Sequence, residues 1–168
     1  MKKIRLSLML IALVFATCLI SGCVKSNDDT VDNNQKDEEK TIASVLANQF
    51  KEEIQKTTDI ESIANKIAKN EIIKIELDVA TLENQDYISG FKTEIKDFKK
   101  AIAIRPFIGT IPFVAYIFEV ENAEEFAENL KSNADLRWNI CTEADDLETA
   151  FVENYVFIVM SPKNFDEE

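Results

Sequence analysis

Residues 101–120 read AIAIRPFIGTIPFVAYIFEV, and this stretch decides the fold. It holds two dense apolar runs, Ala101–Phe107 and Phe113–Val120, which are rich in β-branched and aromatic residues. Between them lies Ile108–Pro112, with one glycine and one proline, so the pattern predicts two strands joined by a short loop. Apolar residues fall on both faces of each run. This indicates central strands in a sheet that is covered on both sides.

The segments that follow predict a helix and then more sheet. Asn122 with Glu125 forms a capping box, which opens a helix. Its apolar stripe is Ala123, Phe126, Ala127 and Leu130. Further along, a short strand over Trp138–Thr142 and a hairpin of Thr149–Val152 with Tyr155–Ser161 around Glu153–Asn154 are expected.

The segments before residue 101 are mainly helical in pattern. One apolar stripe consists of Ile42, Val45, Leu46, Phe50 and Ile54. Thr58 with Glu61 predicts the start of a second helix. Residues 72–80 alternate and fit either an edge strand or an extended connection. The predicted fold is therefore α+β, with an antiparallel sheet of about four strands and helices packed mainly on one face, in a single domain over residues 41–162.

The amino terminus carries the strongest functional signal. Met1–Arg5 is short and positive, and an uncharged apolar run follows from Leu6 to Ile20. The run is close to a signal-peptide core in length and shorter than a spanning helix. It ends in Ile20-Ser21-Gly22-Cys23, which resembles the lipobox of bacterial lipoproteins.

The lipobox resemblance implies that residues 1–22 are removed between Gly22 and Cys23 and that Cys23 is lipidated. The expected location is the extracytoplasmic face of the cell membrane, and the membrane is then a partner through that lipid. An uncleaved anchor, or a secretory signal with a chance cysteine, is the alternative. Residues 23–40 are polar and are expected to be a disordered tether, and residues 163–168 an acidic, solvated tail.

The charge and the missing residue types exclude several functions. The formal charge is -12, and losing Lys2, Lys3 and Arg5 with the signal peptide leaves -15. Such a surface repels phosphate backbones, so no nucleic-acid partner is expected. The chain has no histidine, which removes the commonest general base and metal ligand. No cofactor or metal is expected, and no catalytic residues stand out.

Three groups of residues are candidates for a site. Asp135, Arg137 and Trp138 suggest a polar pocket with a stacking platform and an anion clamp, or a loop in which Trp138 is core and Arg137 pairs with an acid. The loop with Phe107, Ile108 and Gly109 suggests exposed recognition, or a plain connection that needs Gly109 for a positive φ.

The third group is acidic: Glu143, Asp145 and Asp146 suggest a weak calcium site or a solvated loop, since they lack the spacing of a dedicated calcium loop. Cys141 is the only cysteine left free in the mature chain. It is expected to be a small buried apolar residue, with a nucleophilic role as the alternative.

Two segments resemble small uncharacterised lipoproteins of low-GC Gram-positive bacteria. They are Phe107-Ile108-Gly109-Thr110-Ile111-Pro112-Phe113 and Asp135-Leu136-Arg137-Trp138-Asn139-Ile140-Cys141. The shared order is a lipobox, a polar tether, two helices, a proline-containing strand pair, a helix and a closing strand. The resemblance implies a location and a fold type, and no activity.

The sequence leaves three functional hypotheses. The first is a non-catalytic, membrane-anchored binding or interaction module for an envelope protein or ligand. The second is a hydrolase of envelope polymers that uses carboxylates, and the third is a structural or chaperone-like component of an envelope complex. A cleft with two close carboxylates would favour the second hypothesis, and an exposed apolar patch the first or the third.

Overall fold

The computed structural model describes residues 40–83, 86–139 and 141–165. In chain order the described residues form α1 Ile42–Ile54, α2 Ile60–Ile67, β1 Leu77–Leu82, β2 Phe98–Pro106, β3 Val114–Val120, α3 Ala123–Asn133, β4 Asp146–Val152 and β5 Tyr155–Ser161.

The five strands form one antiparallel sheet in the order β1-β2-β3-β5-β4. The α+β prediction is confirmed, with five strands where about four were expected. The added strand is β1, which lies at the edge of the sheet. Of the segment 72–80, residues 77–80 belong to this edge strand and residues 72–76 do not. The expected strand over Trp138–Thr142 is wrong, because its described residues lie in turns and irregular backbone.

Each face of the sheet covers a separate apolar core, as the two-sided pattern of residues 101–120 predicts. On one face α1 and α2 pack on the sheet, and Phe50 stacks on Phe157 with ring centroids 5.3 Å apart. On the other face α3 and residues 86–97 cover an aromatic group, in which Phe118 meets Phe126 at 5.1 Å. Two of the three described helices thus share a face.

Each of the three described helices begins at a polar N-cap residue, whose side chain accepts hydrogen bonds from backbone N–H groups. Thr41 accepts a hydrogen bond from the Ser44 N–H. Asn122 accepts one from the Glu125 N–H, and this confirms the predicted start of that helix. The second helix differs, because Asp59 rather than Thr58 caps it and accepts from two backbone N–H groups. A carboxylate at the N-cap also interacts favourably with the helix dipole, and this favours Asp59 over its neighbour.

The two ends of the sheet carry different connections. We call one the loop end: it comprises residues 107–113, 134–145 and 162–165 with the start of α1. We call the other the far end: it comprises residues 55–59, 96–97, 121–122 and 153–154. Met160, near the close of β5, pairs with Val114 at the start of β3, and this places their connections at one end.

Residues 163–165 correct the expected solvated tail. The Ile42 N–H donates to the Lys163 carbonyl at 2.9 Å, and the Phe165 ring lies 6.4 Å from that of Phe113. Phe165 packs against the first core. The chain therefore continues to contact the domain past residue 162, while residues 166–168 lie outside the described residues.

Candidate functional site

The loop end brings together two of the groups that the sequence marked separately. The Asn139 side-chain amide donates to the Gly109 carbonyl at 2.6 Å. The Thr142 hydroxyl donates to the Thr110 carbonyl at 3.0 Å. These bonds join segments about thirty residues apart in the chain. They fix the 107–113 loop against the 135–144 loop, so both belong to one surface.

The tip of the 107–113 loop is apolar and exposed. Phe107 is 69% exposed and Ile108 is 64% exposed. Large apolar side chains at this exposure are normal singly, but an adjacent pair on a fixed loop is a candidate contact surface. The loop is tied down at its base, where Phe113 is buried and Ile111 packs against the first core. The tip is thus held out from a rigid base.

Gly109 does not have the positive φ that a plain turn would require. Gly90 is the glycine with positive φ among the described residues, at 91°. A Cβ on Gly109 would meet no atom within 4 Å. The expectation that Gly109 serves a left-handed turn is therefore wrong, and the space around it is open to solvent or to a contacting surface.

In the 135–144 loop the polar side chains are used to fix the backbone. The Asp135 carboxylate accepts from the Arg137 N–H at 3.0 Å, which forms a local turn. The Arg137 guanidinium lies 3.3 Å from the Glu143 carboxylate, and both side chains are largely exposed. This arrangement matches the alternative in which Arg137 pairs with a neighbouring acid, and such exposed pairs contribute little to stability.

The sequence left open whether Trp138 is a core residue or a stacking platform at a pocket, and the structure shows features of both. Trp138 is half-buried and packs against the second core, beside α3. It therefore anchors the loop to the domain by one part of its ring system and leaves the rest at the surface. A large aromatic in this position suits both packing and contact with a ligand.

Cys141 is exposed, so its predicted burial is wrong. The physical reason is the missing strand over residues 138–142: without it, no ladder carries Cys141 into the sheet. Asn139 and Thr142, which precede and follow Cys141, instead donate to the carbonyls of residues 109 and 110. The thiol consequently lies on the same surface as the two candidate loops.

The acidic residues after Cys141 do not converge on a common point. In the described residues no three His, Cys, Asp or Glu side chains are placed to hold a metal ion. Glu143 pairs with Arg137, the Asp145 N–H donates to the Ser161 carbonyl, and Asp146 begins β4. The geometry thus gives the three acids separate local roles.

Two carboxylates at the far end also have structural partners. An open depression of about 510 Å³ there includes Asp97, Glu121 and Glu125 in its lining. Glu121 lies 3.7 Å from Lys99 and is highly exposed, and Glu125 accepts from the Asn122 amide at 2.8 Å. This differs from an apolar setting that would single out a proton donor.

The Tyr116 hydroxyl links β3 to the segment around Gly90. Tyr116 is buried in the second core, and its hydroxyl donates to the Ser89 carbonyl at 2.9 Å. Burial raises the pKa of Tyr116 to about 12. The phenol is therefore neutral at physiological pH and serves to hold the segment around Gly90, whose carbonyl accepts from the Asp135 N–H.

Within the described residues, no helix combines the length and the apolar character needed to cross a membrane. No protein-family model, curated protein or solved structure matches this chain.

Proposed function

We propose that this protein is a lipoprotein anchored through Cys23 at the extracytoplasmic face of the cell membrane, with a domain that acts as a non-catalytic interaction module. The contact surface is the loop end, and its residues are Ile108, Gly109, Asp135, Arg137 and Trp138, together with Phe107. The observation that carries the interaction role is the exposed Phe107–Ile108 pair on a loop fixed by Asn139 and Thr142.

The anchoring part of the proposal is supported by the sequence of residues 1–23. A positive start, an uncharged apolar run and Ile20-Ser21-Gly22-Cys23 follow one another in the order that lipoprotein signals use. We include in this proposal a relationship to the small lipoproteins of low-GC Gram-positive bacteria that the sequence resembles. A diacylglyceryl chain pair would hold the domain firmly, because each buried CH₂ contributes ~0.8 kcal/mol.

The interaction part is supported by chemistry as well as by exposure. A contact surface gains most from large aromatic and aliphatic side chains presented by a rigid backbone, since little conformational entropy is lost on binding. The loop end presents such groups next to a half-buried tryptophan. The polar side chains around it are engaged with the backbone or with one another.

Metabolic labelling with a fatty-acid analogue tests the anchor. The wild-type protein is expected to carry the label and the Cys23→Ala variant to lose it. Cys141→Ala is the matched control, because it removes the other cysteine of the mature chain and should leave the label in place. A labelled Cys23→Ala protein would contradict the anchoring proposal.

A photoreactive residue placed at single positions in living cells tests the contact surface. A covalent adduct with a contacting molecule, either a protein or a lipid, is expected from position 108 at the loop end. Position 151 is the control, because Phe151 is also an exposed aromatic but lies beside the far-end hairpin. Equal adduct formation from both positions, or none from position 108, would contradict the choice of surface.

A further inference from the structure

The end of the domain that meets the tether is also the end that carries the apolar tip. The Ile42 N–H donates to the Lys163 carbonyl, so α1 begins beside the segment that leaves β5. Phe165 in that segment contacts Phe113 at the base of the 107–113 loop. The point at which the chain passes from residue 40 into the domain therefore lies at the loop end.

The loop itself has an unusual composition for this protein. Residues 106–113 read PFIGTIPF and contain no charged side chain, although 30% of the whole chain is charged. The tip projects Phe107 and Ile108, and both prolines are half-buried where the loop joins the sheet. A rigid loop with an uncharged aromatic and aliphatic tip can enter the boundary between lipid headgroups and acyl chains at low conformational cost.

The length of the linking segment limits how far the domain can move from the bilayer. Residues 24–40 lie between Cys23 and the domain, and seventeen residues span at most ~60 Å when fully extended. The tip is thereby presented to the lipid surface at a high effective concentration. At this high effective concentration, even weak insertion of a small tip is sufficient to hold it at the lipid surface.

The charges around the tip favour apolar contact over attraction to anionic lipid. Arg137 is paired with Glu143, and Arg105 lies 3.7 Å from Asp78. The mature chain would carry -15, which repels anionic headgroups. Insertion into an uncharged bilayer would therefore be independent of added salt and would not require anionic lipid.

We infer that the Phe107–Ile108 tip inserts into the interface of the lipid bilayer that holds the Cys23 anchor, and so fixes the orientation of the domain on the membrane. This inference rests on the proposed anchoring and names the partner of one part of the proposed contact surface. The Asp135–Cys141 segment, which is bonded to the loop but lies beside the tip, then remains available to other molecules.

Tryptophan quenching by brominated lipid measures the insertion directly. The chain from Cys23 onward, with Cys141→Ser, is coupled through Cys23 to a maleimide lipid in phosphatidylcholine vesicles. Phe107→Trp with Trp138→Phe places the only tryptophan at the tip. Phe151→Trp with Trp138→Phe is the matched control at an exposed aromatic position away from the loop end.

Lipids brominated on their acyl chains should quench the tip tryptophan and shift its emission to shorter wavelength, while the control tryptophan stays unquenched. The quenching should persist at high salt and without anionic lipid. Adding Ile108→Ser to the tip variant should lower the quenching. For the uncoupled chain the same change should lower the partition coefficient about tenfold, the factor expected for one large apolar side chain.

Equal quenching at both positions, or none at the tip, would overturn the inference. Quenching that appears only with anionic lipid and vanishes in salt would also overturn it, in favour of electrostatic attachment. Because the chemical coupling replaces the natural anchor, this test is independent of the metabolic labelling. A protein adduct from position 108 in cells, with no quenching in vesicles, would refute lipid insertion and leave the interaction module standing.

Discussion

The two ends of the sheet differ in the residues of their connections: the far end has polar turns, and the loop end has exposed apolar side chains. At the far end four short stretches are polar, and they are residues 55–59, 96–97, 121–122 and 153–154. The loop end has longer connections, which include the exposed Phe107 and Ile108 and the exposed Cys141. One end closes the fold, and the other presents a surface.

The difference shows which apolar residues serve the fold and which do not. At the far end, apolar side chains such as Val152 turn towards the core while Glu153 and Asn154 form the turn. At the loop end, the hydrogen bonds from Asn139 and Thr142 hold exposed apolar side chains in place. A loop that served only as a connection would gain nothing from this arrangement, since exposed apolar groups add no stability.

The largest expected effect separates two phenylalanines of one loop. Phe113→Ala should lower the free energy of unfolding by about 3–5 kcal/mol, the range for a buried aromatic, because Phe113 is 2% exposed. Phe107→Ala should change it by less than about 0.5 kcal/mol, as at a surface site. Denaturant melts of the two variants measure both values. If Phe113→Ala does not fold, Phe113→Leu should still fold, with a loss below about 1.5 kcal/mol. Similar losses for the two alanine variants would break the distinction between base and tip.

Trp138→Ala tests the packed part of the loop end. Because Trp138 is half-buried against the second core, the expected loss is about 2 kcal/mol, below the range for a fully buried aromatic. Equilibrium melts followed by circular dichroism suit this variant, since it removes the optical reporter. A loss above about 4 kcal/mol would assign Trp138 wholly to the core, and a loss below about 0.5 kcal/mol would assign it wholly to the surface.

Asn122→Ala tests the far end. The Asn122 side chain accepts a hydrogen bond from the Glu125 N–H and donates one to the Glu125 carboxylate. Both bonds stabilise the start of α3. The expected loss is about 1 kcal/mol, the usual cost of an N-cap. Asn122→Ser is the control, because its hydroxyl keeps an acceptor at the cap without adding a charge beside Glu125, and it should retain most of the stability. If Asn122→Ala had the same free energy of unfolding as the wild type, the cap at the far end would have no role in stability.

The fold could be predicted largely because its signals are local. Residues 101–120 show the central strands, and Asn122 with Glu125 shows the start of α3, by patterns contained within a few residues. The structure departs where two neighbouring residues compete, as Thr58 does with Asp59, or where a long-range bond decides. Residues 138–142 look strand-forming on their own, but Asn139 and Thr142 bond to carbonyls some thirty residues away.

The candidate surface was predictable in its parts and not in its assembly. Ile108, Gly109, Arg137 and Trp138 all stood out as residue types. Nothing local marks Asn139 and Thr142, because asparagine and threonine are ordinary loop residues. Their bonds depend on where α3 ends relative to the 107–113 loop, and that position follows only from the packing of the whole sheet.

Cys141 gives the smallest expected effect on stability and a sharp test of the loop end. In the chain from residue 23 with Cys23→Ser, Cys141 is the only thiol, and its side chain is exposed. A disulfide-forming colour reagent should therefore react with the native protein nearly as fast as with the denatured protein. The modified protein should keep its unfolding free energy within about 0.5 kcal/mol, as for a surface substitution. If the native thiol reacted only after denaturant was added, residues 138–142 would have to enter the sheet after all. The 135–144 loop would then no longer belong to the proposed contact surface, which would be reduced to the Phe107–Ile108 tip.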